Sequence, residues 1–100
     1  MSLPLQKVFD IINKHSELEK ELASSNVDNK VFAQKSKDYS NLSEIIKYAL
    51  EYTNFEKSKN DLEKIILDKN SEEDIIELAK VELEELIKKH EKNEIKLKVF

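Results

Sequence analysis

Two histidines, a dense set of glutamates and three clustered serines are the only side chains in this 100-residue sequence with an obvious chemical vocabulary. His15 and His90 lie far apart in the chain. A metal centre would need them to converge with carboxylates at ligand spacing, as in the Glu-x-x-His pattern of di-iron bundles. Glu85 stands five residues before His90, the wrong interval, and the nearest glutamate to His15 follows it. No metal site is expected. Glutamates recur at i, i+3 and i, i+4, as with Glu73 and Glu77. General acid catalysis requires a carboxyl with a shifted pKa in a pocket, which a solvated helix face does not supply. Ser36, Ser40 and Ser43 have no neighbouring base to activate a nucleophile. With no cysteine there is no disulfide, zinc-thiolate or thiol chemistry. No catalytic residue, cofactor, metal or small-molecule substrate is expected.

The elements that carry these residues are helical by composition. There is no glycine and one proline, with 38% charged and 39% hydrophobic residues. Tight turns and phosphate-cradling loops lack the residue that builds them. The net charge of −4 opposes a general nucleic-acid binder. All seventeen cations are lysine, so bidentate recognition by guanidinium is absent. No apolar run approaches the roughly 20 residues of a membrane span, and no secretory signal is visible, so the chain reads as cytoplasmic with no membrane partner.

Periodicity divides the chain into three helices, at about 4–23, 28–67 and 72–94. Ser2 is a candidate cap for the first, and Pro4 suits a first turn because its missing N–H has no partner there. Asn26 or Asp28 is placed to cap the second. "SNLS" at 40–43 and "TNF" at 53–55 are its weak points, but without Gly or Pro it is expected to be continuous, roughly 60 Å long. "KNSEED" predicts a turn and capping box, with Asn70 or Ser71 as cap and Glu73 or Asp74 reaching back. Ile76, Ala79, Leu83, Leu86 and His90 then follow a coiled-coil seam. The basic "KKHEKNEIKLK" reads either as a partner patch or as a complement to the helix dipole. "IKLKVF" alternates as a strand would. The expected fold is all-α: an up-down-up three-helix antiparallel bundle or coiled coil with a long central helix.

That central helix carries two apolar stripes. Tyr39, Leu42, Ile46, Ala49 and Thr53 form one; Ile45, Tyr48, Tyr52 and Phe55 form the other, continued by Leu62 and Ile66. Two neighbours packing from two directions would explain both. Aromatic residues with polar tips are also favoured at interfaces, so Tyr48, Tyr52 and Phe55 are the candidate partner-docking residues.

The stretch "FAQKSKDYSNLSEIIKYALEY" resembles the N-terminal domain of bacterial class I peptide chain release factors. In that family a Ser-Lys-(Asp/Glu)-Tyr-(Ser/Ala)-x-Leu run precedes two aliphatics and a second tyrosine. Ser36, Lys37, Asp38, Tyr39, Ser40 and Leu42 match the run, Ile45 and Ile46 the aliphatics, and Tyr52 the later tyrosine. Glu77, Leu78, Ala79, Glu82, Leu83 and Leu86 match the family's Glu-Leu-Ala-x-x-Glu-Leu-x-x-Leu helix. "LEKELASS" extends the likeness over nearly the whole chain, and the phrasing around Tyr39 is more like the UAA/UAG-reading type. The resemblance implies a part in translation termination, with the ribosomal stalk base and the recycling class II GTPase as partners. It also implies a non-catalytic part, because the family's Gly-Gly-Gln loop cannot exist in a chain without glycine, and no codon-reading Pro-x-Thr-type tripeptide is present. Residues 1–100 then read as one domain, with 95–100 the junction to a missing central domain. An unrelated coiled-coil adaptor or tRNA-binding arm is the alternative, although a tRNA arm would want a continuous basic face that the glutamates deny.

Overall fold

The computed structural model describes residues 3–24 and 28–100. Within them are four helices and no strand: α1 (Leu5–Ala23), α2 (Asn29–Ser43), α3 (Ile46–Leu67) and α4 (Glu73–Lys98). The all-α class agrees with the sequence pattern. Three helices become four because the expected central helix is not continuous. The possible caps at Ser2 and Asn26 lie outside the described residues.

The break falls at Glu44 and Ile45, directly after "SNLS". Both stay in right-handed helical conformation, Ile45 with φ −114° and ψ −4°. The Ile45 N–H reaches back only three residues to the Leu42 carbonyl (3.1 Å), and the four-residue ladder resumes from Ala49 to Ile45 (3.0 Å). A tightened turn of this kind marks a change of helix direction without glycine or proline. It frees the two halves to follow different neighbours: α2 packs on α1, while α3 packs on α1 and α4. "TNF" does not interrupt α3, where the Thr53 hydroxyl bonds back to the Leu50 carbonyl (3.0 Å).

The turn after α3 is where "KNSEED" places it, but the capping box is absent. Glu72 is the N-cap of α4 and makes no side-chain cap bond. The Ser71 hydroxyl is engaged elsewhere, donating to the Ile65 carbonyl at the end of α3 (2.8 Å). Asp68 shapes the turn, its carboxylate accepting from the Asn70 N–H (2.9 Å) and its carbonyl from Ser71. Asp28, likewise, stands at the N-cap of α2 without a side-chain cap bond.

Residues 95–98 continue α4, correcting the strand-like reading of "IKLKVF" and the helix end at 94. No strand among the described residues offers a ladder partner. Helix, by contrast, lets Leu97 bury completely in the core and lets Lys98 pair with Glu94 one turn back (3.1 Å).

One core joins all four helices: Val8, Ile11 and Leu18 of α1, Leu42 of α2, Ala49 and Tyr52 of α3, and Leu97 of α4, with Leu3 preceding α1. The molecule measures 60 × 29 × 19 Å, because the α3–α4 pair extends well past that core. No helix among the described residues is long and apolar enough to cross a membrane.

Candidate functional site

The two stripes of the "NLSEIIKYALEYTNF" region separate according to neighbour. On the first, Tyr39 stacks on His15 of α1 with ring centroids 4.6 Å apart. His15 Nε2 lies 3.1 Å from the Ser43 hydroxyl, and Leu42 is buried. Lys35 and Glu21 form an ion pair farther along the α1–α2 contact, holding the Glu21 carboxyl below its usual range through the lysine hydrogen bond.

On the second, Tyr48, Tyr52 and Phe55 all face α4. Lys96 Nζ lies 4.0 Å from the Tyr48 ring centroid, a cation–π contact. The His90 ring is stacked between Tyr52 (4.4 Å) and Phe55 (3.7 Å). Tyr52 is only 6% exposed, whereas Tyr48 and Phe55 are half-buried. These three aromatic side chains therefore fill the helix seam, and Tyr52 is too deep to present its ring to a partner.

Tyr52 and α4 also hold the chain's entry into α1. The Tyr52 hydroxyl donates to the Leu3 carbonyl (3.5 Å), and the Leu3 N–H donates to the Glu94 carboxylate (3.2 Å). Both main-chain groups of Leu3 are thus met by side chains from other helices. Burial, reinforced by the Glu94 charge, pushes the Tyr52 phenol above its usual range. Hydrogen bonding to Lys98 chiefly holds Glu94 below its own.

Alongside runs a polar lock. Asn93, only 4% exposed, donates to Glu51 Oε2 (3.0 Å), and Lys89 meets Glu51 Oε1 at 3.1 Å. Burial raises the Glu51 pKa, but the bonds from Lys89 and Asn93 and the lysine charge outweigh it, so the carboxyl stays low. Burial has the larger say at His90, depressing its pKa against the opposing charges of Glu94, Glu56 and Glu91. Its Nδ1 is buried with no protein hydrogen-bond partner.

This arrangement positions and packs; it also corrects one expectation, because Ser43, read as lacking a neighbouring base, meets the His15 imidazole at 3.1 Å on an exposed stretch of the α1–α2 contact. Among the described residues no group of three or more His, Cys, Asp or Glu side chains could hold a metal ion. Lys89, Lys96 and Lys98 of the basic end are engaged inside the molecule, and Glu73 and Asp74 occupy the first turn of the same helix, so its charges complement the dipole. Sequence reasoning missed the Glu51–Asn93 pair. The signal was present, since Leu86, His90, Asn93 and Leu97 continue the four-three-four seam, and a lone Asn at such a position commonly sets register.

Comparison with known proteins adds descent to this geometry. The chain is 51% identical over 98 residues to a protein named peptide chain release factor 1 from Pelagibacter ubique, an alignment covering 98% of the chain and 28% of that relative. It is 43% identical over 75 residues to the protein of the same name from Wolbachia pipientis, covering 74% of the chain and 21% of the relative. The Alkaliphilus oremlandii protein of that name is 31% identical over 98 residues, covering 96% of the chain and 28% of its own length. No family model matches the chain. No solved structure matches it either. The chain thus spans between about a fifth and little more than a quarter of the length of these relatives. Tyr39, Leu42 and Tyr52, which carried the likeness to the N-terminal domain of a class I release factor, are the same residues that bind α2 and α3 to their neighbours. Alignment along nearly the whole chain bears that likeness out: over the part it spans, the chain is a relative of proteins named peptide chain release factor 1.

Proposed function

We propose that the chain serves translation termination as the non-catalytic N-terminal helical domain of a class I release factor of the UAA/UAG-reading type. It works in the cytoplasm on the ribosome, contacting the stalk base and the class II GTPase that recycles the factor. The observation that carries the reading is 51% identity over 98 residues to a peptide chain release factor 1. The absence of glycine supports the non-catalytic part, because a Gly-Gly-Gln loop cannot be encoded in this segment. A packed helical bundle, with Lys89 and Lys98 tied to glutamates of its own helices, supports a part that offers binding surfaces.

The test uses ribosomes halted at a stop codon with labelled peptidyl-tRNA. The 100-residue chain alone is expected to release no peptide. A full-length factor of this family is expected to keep codon-dependent release when this segment is deleted, but to lose acceleration of its recycling by the GTPase. Release by the segment itself, or unchanged recycling after the deletion, would overturn the proposal.

A further inference from the structure

α1 buries Val8, Ile11 and Leu18, yet it leaves Leu5 at 52% and Phe9 at 45% exposure. These two stand four residues apart, one above the other on the same helix face. They border an open cleft of about 410 Å³ whose opposite wall is Phe55, Glu56 and His90. The cleft floor is therefore largely apolar and aromatic, built on α1, α3 and α4 with Leu3 just before α1.

Its electrostatics have one sign. No lysine lines the cleft, while Glu56 does. Glu91 and Glu94 stand close enough to act on the His90 ring alongside Glu56. Glu94 is matched by Lys98, but none of the ion pairs among the described residues engages Glu56 or Glu91. An apolar floor beneath unmatched carboxylates repels phosphate groups, so RNA and anionic lipid surfaces are poor occupants. A cation beside an apolar anchor satisfies both features together.

We infer that the α1–α3 cleft between Phe9 and Phe55 is a docking site for a protein segment presenting a leucine or phenylalanine anchor flanked by lysine or arginine. The anchor covers Leu5, Phe9 and the outer edge of Phe55, and the flanking cations meet Glu56 and Glu91. Tyr52 also lines the cleft, and the site does not depend on the release-factor reading.

The test therefore needs no ribosome. The probe is a synthetic amphipathic peptide with a Leu–Leu–Phe stripe bordered by lysines; its control has the same stripe bordered by glutamates. Amide and side-chain NMR shifts of the 100-residue chain are followed on titration. Saturable shifts at Leu5, Phe9, Phe55 and Glu56 are expected with the lysine peptide and none with the control. Phe9→Ser should weaken binding at least about tenfold, since buried aromatic contacts dominate interface energies. Glu56→Gln should weaken it about two- to fivefold and flatten its salt dependence, as a rim charge does. Circular dichroism of both variants checks that the helices are intact. Absence of saturable binding, shifts centred on the α3–α4 turn, or indifference to Phe9→Ser in a folded variant would each overturn the proposal. So would a concentration-dependent dimer in sedimentation that Phe9→Ser abolishes, because the cleft would then belong to a second copy of the chain.

Discussion

Val8, Leu18, Ala49 and Leu97 are almost wholly shielded where the four helices meet, while Leu67 and Leu78 at the far end of α3 and α4 are 79% and 56% exposed. Both regions have similar composition and helical periodicity. They differ in how many helices can reach a given side chain. At the core end, α3 is covered by α1 and α4, and both of its stripes are used. Beyond Phe55, α1 no longer flanks it, and the α3–α4 pair keeps a single half-buried seam through Leu62, Ile66, Leu83 and Leu86. Only Ala79 is fully buried in that part of α4. Stability is therefore concentrated at one end, and the hairpin tip is held by local helix formation and one seam.

Truncating a side chain is the sharpest way to break the comparison. Leu18→Ala empties a site that is 1% exposed and should cost about 2–5 kcal/mol of unfolding free energy by denaturant titration. A cost below about 1 kcal/mol would mean the shared core is looser than its burial indicates. Glu51→Ala leaves the buried Asn93 amide and the Lys89 ammonium without their acceptor and should cost about 1–2 kcal/mol. A neutral outcome would show that the lock sets register without adding stability.

At the tip, Glu72 holds an extended N-cap conformation with no cap bond, and its long side chain can be shortened to the cap-forming length. Glu72→Asp should raise stability by about 0.5–1 kcal/mol, read as an upward shift in Tm. Leu78→Ala, by contrast, should stay within about 0.5 kcal/mol of the parent chain.

Acid titration probes the core end separately. Folding depresses the His90 pKa, so the folded state binds fewer protons than the unfolded state near pH 6.5. The neutral ring's contribution is present above that pH and is lost as pH falls through the window beneath it. Glu51 and Glu94, also depressed, lose theirs at lower pH, as it falls below the ordinary glutamate range toward their folded values. His90→Leu should remove the first decline and keep the second. Two declines persisting in that variant would assign the first to another group.

Much of this fold is legible in the residues. Val8, Leu42 and Ala49 fall on seams that helical spacing marks, and the turn after Leu67 is announced by a polar run. The break at Glu44 and Ile45 is legible only as the weak point "SNLS" just before it, because no glycine or proline enforces a break there. It results from α2 and α3 following different neighbours. The helical end of α4 is hidden for a related reason, since alternating apolar and lysine residues satisfy a strand pattern until burial of Leu97 selects the helix. The aromatic stripe could be read as core or as interface, and only the position of His90 on α4 settles which face of Tyr52 is covered.

The sequence by itself determined that the chain is helical, that it has neither the cysteine for thiol chemistry nor the glycine for a Gly-Gly-Gln loop, and which proteins it is similar to. Composition, the missing glycine and the order of motifs are local properties that need no coordinates. The tertiary structure alone decided where the central helix divides, that Glu51 and Asn93 meet, and that Leu5 and Phe9 remain uncovered beside Glu56. Those outcomes depend on which helices come within reach of one another, and contact across a bundle is set by the packing of all its members together.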